Sequence, residues 1–157
     1  MRKQVFDFIG EQLRLIADDE GNAVIKQIGL WNKSITDGSN TELSAPSVFV
    51  EFDTISWSML GAHIREADLT VKLHVITEAL NSNGQAFDII DKIYCTLTGS
   101  KAENIGAFTP LKSEVDSEYK KGIHWIESYI THITDNSAQV TLQTIGSQNV
   151  KIELNKE

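Results

Sequence analysis

The segment from Asp68 to Val75 alternates without a break: Leu69, Val71, Leu73 and Val75 are apolar, while Asp68, Thr70, Lys72 and His74 between them are polar or charged. Successive side chains of a strand point to opposite faces, so this run reads as a β-strand with one face on a core and one turned away from it. Such a strand cannot stand alone. It needs neighbours to satisfy its backbone and a layer to cover its apolar face, and the rest of the chain is read for what supplies them.

Two segments supply amphipathic helices. Val5, Ile9, Leu13 and Ile16 recur at helical spacing, with Phe6 and Phe8 widening the stripe, and Asp18, Asp19, Gly21 and Asn22 close it. Phe87, Ile90, Tyr94 and Leu97 mark one face of a second helix over Ala86 to Leu97, flanked by Ala86, Ile89 and Ile93. Asn81, Ser82, Asn83 and Gly84 offer N-cap candidates, and Gly99 supplies the stop.

Further strands are expected at Ala23 to Trp31, at Val48 to Asp53, around Leu111, Ser113 and Val115, and at Trp125 to Ile133. The last is partly apolar on both faces, which places it centrally in the sheet. Between Ala23–Trp31 and Pro46 lies a polar loop, Asn32 to Ala45. Val48 to Asp53 and Asp68 to Val75 make a long hairpin joined by an arm, Thr54 to Ile64, that is unusually apolar for a connection. At the end of the chain Val140 and Leu142, then Val150, Ile152 and Leu154, alternate about a Gly146 to Asn149 turn and predict a terminal hairpin.

The expected fold is therefore α+β: an antiparallel sheet with two helices packed on one face, in the order α-β-β-β-α-β-β, followed by a C-terminal β-hairpin. Residues 1–134 form the main domain and 135–157 the hairpin extension. With 157 residues, one core suffices. Its core should include Ile9, Leu13, Leu69, Val71, Leu73, Ile90, Ile93 and Leu97.

Composition narrows the function. A net charge of −8 disfavours tight nucleic-acid binding, which draws on clustered Lys and Arg, but is compatible with DNA sliding past a repelling surface. One cysteine, Cys95, cannot form an intramolecular disulfide and reads as a small buried hydrophobe. The N-terminal stretch mixes Arg2, Lys3, Asp7, Glu11 and Arg14 with its apolar residues, unlike a signal peptide, and no segment reaches the length of a membrane span. A cytoplasmic compartment follows.

No motif carries chemistry. His63, His74, His124 and His132 lack metal-ligand spacing and read as surface or sheet-face residues. The carboxylates Glu114, Asp116 and Glu118 share one face of a strand and read as solvated, and the glycines form neither a nucleotide fingerprint nor a phosphate loop. Neither a catalytic residue nor a cofactor is expected. What stays unassigned is apolar: Trp57, Met59 and Leu60 in the arm, and Val140, Leu142, Val150 and Ile152 in the terminal hairpin, which form either a second core layer or an interface.

The amphipathic start Val5 to Ile16, the hairpin formed by Val48 to Phe52 with Ala67 to Val75, the helix Ala86 to Leu97 and the closing strand Ile123 to Ile133 resemble, in order and character, the tail terminator (tail completion) proteins of long-tailed phages and prophages. The resemblance spans residues 1–134. It implies a homo-oligomeric ring, typically a hexamer, that terminates the tail tube, meets the head-completion proteins and lets DNA pass without gripping it. It brings no catalytic residues. Another head-tail connector, or an enzyme or small-ligand binder with the same α+β pattern, stands as the alternative.

Overall fold

The computed structural model describes residues 1–32, 35, 43–61, 63–78, 83–119 and 122–138. The elements run α1 (Arg2–Arg14), β1 (Gln27–Leu30), β2 (Ser47–Phe52), β3 (Ser58–Gly61), β4 (Ile64–Thr77), α2 (Asn83–Leu97), β5 (Thr109–Val115) and β6 (Ile123–Asp135). The strands form one six-stranded sheet in the order β1-β2-β4-β6-β5, with β3 paired to the start of β4.

The spine of this sheet is β4 against β6, in unbroken antiparallel register from Arg65↔Asp135 to Thr77↔Ile123. On one face the odd-numbered residues of β4, Ala67 through Val75, are all buried. They join one cluster with Val48 and Val50 of β2, Tyr129 and Ile133 of β6, Val5, Ile9 and Leu13 of α1, and Ile89, Ile93 and Leu97 of α2. Both helices thus bury their stripes in the same core as that face. Each fully buried Leu or Ile there stabilises the fold by about 1.5–3 kcal/mol relative to exposure. The other face carries a smaller cluster of Ile35, Phe49 and Ile76, with Trp31, Leu43 and Tyr119 against it.

Two features differ from the expected plan. The sheet is mixed and not wholly antiparallel, because β1 pairs with β2 in parallel, Gln27↔Ser47 to Leu30↔Val50. The order gains a strand, because the middle of the apolar arm pairs back on β4 as β3, with Ser58 opposite Glu66 and Gly61 opposite Ile64. Gly61, at a φ of 97°, takes the turn conformation that a side chain would resist.

The buried side of α2 is also rotated from the expected one. Ala86, Ile89, Ile93 and Leu97 are buried, Ile90 is only half-buried, and Phe87 and Tyr94 are about half exposed. Cys95, expected inside, lies on the exposed side. A helix with apolar residues over more than half its circumference has no single stripe in its sequence, and the packing surface decides which residues enter. The terminal hairpin, with Val140, Leu142, Val150 and Ile152, lies outside the described residues, as do the N-cap candidates Asn81 and Ser82 and most of the polar loop.

Candidate assembly surface

The apolar arm places its three predicted residues differently. Trp57 is half-buried and packs on the edge of the main core. The Arg65 guanidinium lies over its ring at 4.3 Å from the centroid, close enough for cation–π attraction. Arg65 in turn donates to Asp135 Oδ2 from Nη2 at 2.8 Å and from Nε at 3.1 Å, tying the start of β4 to the end of β6. Hydrogen bonds from Ser137 and from Arg65 hold the Asp135 carboxyl well below the usual carboxylate range. The base of the arm is therefore fixed to the sheet.

Beyond that base, Met59 and Leu60 leave the core. They are 65% and 57% exposed on a four-residue strand with no buried residue, so β3 presents two large apolar side chains outward from an anchored hairpin. A strand held by pairing at its inner edge offers such side chains with little further ordering cost, which is what an interface anchor needs.

The far edge of the sheet is a second exposed surface. Every residue of β5 is exposed, Leu111 and Val115 among them. Yet Pro110, the charged Lys112 and Glu114, and a register shift between Pro110 and Lys112 interrupt this strand, and such features protect an edge against pairing with another chain. On its helix side, Ser113 donates to the buried Glu127, whose pKa burial raises despite that bond.

The histidines divide between the two environments. His132 is half exposed and faces Asp68 at 3.1 Å and Glu66 at 3.2 Å; its hydrogen bond to Asp68 foremost raises its pKa. His74 and His124, in contrast, are 3% and 1% exposed on the face away from the helices. Glu51 Oε2 accepts from His74 Nε2 at 2.7 Å, Asp116 Oδ2 accepts from His124 Nδ1 at 3.0 Å, and His74 Nδ1 and His124 Nε2 lie 3.0 Å apart. Trp31 stacks on the His74 ring at 3.7 Å and 3°, and Tyr119 meets His124 edge-on at 5.4 Å.

Asp116, expected on a solvated carboxylate face, is thus a partner of a buried histidine just beyond β5. Burial works to raise its pKa, but hydrogen bonds from the Glu118 backbone and from His124 outweigh it and lower the net value. Sequence reading missed this group because His74 and His124 become neighbours only through the β4–β6 register, in which His124 pairs with Ile76 and His74 with Ile126. The one available signal was the even-numbered face of both strands. Among the described residues no set of three or more His, Cys, Asp or Glu is arranged to hold a metal ion. No helix among them is long and apolar enough to cross a membrane.

No family model matches the chain, and no curated protein matches it either. A match is found among solved structures. A chain from a structure described as the virion of a native gene transfer agent particle superposes with a TM-score of 0.55, at 15% sequence identity, over 80% of this chain and 90% of that one. The two share a fold.

Proposed function

We propose that this chain is a non-enzymatic structural component of a phage-like particle, and that within such a particle it acts as the tail terminator: a subunit of a ring, typically six-membered, that closes the tail tube and meets the head-completion proteins. The observation that carries the particle-level reading is the shared fold with a virion chain over 80% of this chain and 90% of that one. The finer role draws on the order of elements and on the outward-facing Met59 and Leu60 of an anchored hairpin, which suit a contact with an adjacent subunit.

The charge of −8 fits a ring through which DNA passes without being held. Assembly would take place in the bacterial cytoplasm, with the finished ring in the virion tail. The C-terminal segment beyond β6 would then be an added arm carrying Val140, Leu142, Val150 and Ile152 to a neighbour.

Analytical ultracentrifugation and negative-stain microscopy of the full chain test this. A closed oligomer of defined subunit number, seen end-on as a ring with a central opening, is the expected result. A monomer at every concentration, up to the highest that stays soluble, would overturn it.

A further inference from the structure

Glu51, His74, His124 and Asp116, two buried imidazoles between two partly exposed carboxylates, form three contacts in series, at 2.7, 3.0 and 3.0 Å. Each contact of this length between two lone-pair atoms needs one hydrogen, since two facing lone pairs repel. Two ionised carboxylates carry none and two neutral imidazoles carry one each, so the series is one hydrogen short. With both ring hydrogens committed to the carboxylates, His74 Nδ1 and His124 Nε2 face each other bare. One added proton completes all three bonds. A second would place hydrogens on both facing nitrogens and break the middle contact.

We propose that these four side chains form a single proton-binding site that takes up one proton and not two, and that its occupied form holds Trp31 and the Asp116–Tyr119 segment more firmly against this face of the sheet. Both rings are almost fully buried under Trp31, whose face lies parallel to His74, while the carboxylates at the two ends of the series reach solvent. An indole face attracts a cation, so the added charge strengthens the stack. This inference stands on side-chain geometry and does not depend on the assembly role.

Each neighbouring element contributes a charge. From β2 come Glu51 and, just past its end, Asp53; Lys72 of β4 lies 3.7 Å from Glu51 and 3.4 Å from Asp53; Asp116, Glu118 and Tyr119 follow β5. The carboxylates favour the added proton, while Lys72 and burial oppose it. Burial prevails: it lowers both imidazoles from the ordinary 6.5, His74 to about 4, against the hydrogen bonds they donate to Glu51 and Asp116. Uptake therefore falls on the acid side of 6.5. A histidine whose folded value is depressed binds its proton more readily in the unfolded chain, so stability is complete above 6.5 and declines as the pH falls toward about 4. The occupied native form is tighter at Trp31 while the protein as a whole is easier to unfold.

The test is a pH titration of the ¹⁵N-labelled full chain from about pH 8 to about pH 4, following the imidazole ring nitrogens and the Trp31 indole N–H by NMR. His74→Gln and His124→Gln serve to assign the rings. The expected result is one shared step below pH 6.5 that accounts for one proton across both rings, with the Trp31 resonance moving over the same step. His124→Gln should abolish the Trp31 step. Two separate one-proton steps, ordinary titration of either ring at 6.5, or a Trp31 signal that stays still would overturn the proposal. Should the variants fail to fold, the wild-type titration alone decides it.

Discussion

Replacing Met59 and Leu60 together with serine separates an interface role of the arm from a core role. Covering a fully exposed Leu or Met side chain gains about 1.5–3 kcal/mol. Scaled by their exposures of 65% and 57%, the two residues contribute about 2–3.5 kcal/mol per arm if a neighbouring subunit covers them completely. At about 1.4 kcal/mol per factor of ten, the double variant should dissociate at concentrations roughly 30- to 300-fold higher than the wild type. Neither residue belongs to a core cluster, so the stability of the monomer should change by less than about 0.5 kcal/mol. Trp57→Ala provides the contrast: because Trp57 packs on the core and beneath Arg65, it should lower the melting temperature as well as assembly. Sedimentation velocity over a concentration series, with thermal unfolding of the same samples, reads both effects. A double variant that keeps the wild-type subunit number at every concentration would refute the reasoning, and the exposed arm would then have to meet a different partner.

Gly122→Ala should cost about 1–3 kcal/mol in denaturant unfolding, because a Cβ there would intrude on the Thr77 backbone carbonyl oxygen at the head of the β4–β6 ladder, which neither backbone can relieve without shifting. A loss below about 0.5 kcal/mol would show that the strand start gives way freely. Asp135 has a depressed pKa, so the stability it supplies is complete above its ordinary value of 3.8 and is lost as the pH falls below that. Asp135→Asn should therefore lower the melting temperature at neutral pH and flatten its fall in strong acid; an unchanged acid limb would contradict this.

Much of the core was legible because local patterning and tertiary burial agree there. Leu69, Val71, Leu73 and Val75 alternate in sequence and are fully buried in the fold, and the two-sided apolar strand at Trp125 to Ile133 lies between β4 and β5 as its composition implied. Strand direction was not legible, since β1 and β2 are separated by a long connection and nothing in Gln27–Leu30 distinguishes a parallel neighbour from an antiparallel one. The rotation of α2 escaped for a related reason: Phe87 and the ring of Tyr94 offer apolar surface as Ile89 and Ile93 do, and only the position of the sheet chooses between them. The Glu51–His74–His124–Asp116 series was hidden most deeply, because it depends at once on the registers of β2, β4 and β6 and on the turn after β5. The arm was visible as an oddity of composition, but its base is anchored by Trp57 under Arg65 and by Arg65 on Asp135, 70 residues further along the chain, and no local pattern announces it.

The β4–β6 ladder has a mechanical consequence. All 13 residues of β6 pair with β4, a run of about 40 Å at ~3.4 Å per residue. Tension applied along the strand axis, pulling the two strands past one another, loads the whole row of hydrogen bonds at once and must break them in concert. The same tension applied across the axis opens them singly from one end. The domain is therefore stiff in one direction and weak in the other, and the Arg65–Asp135 ion pair sits at one extremity of the ladder, where peeling from that end would begin.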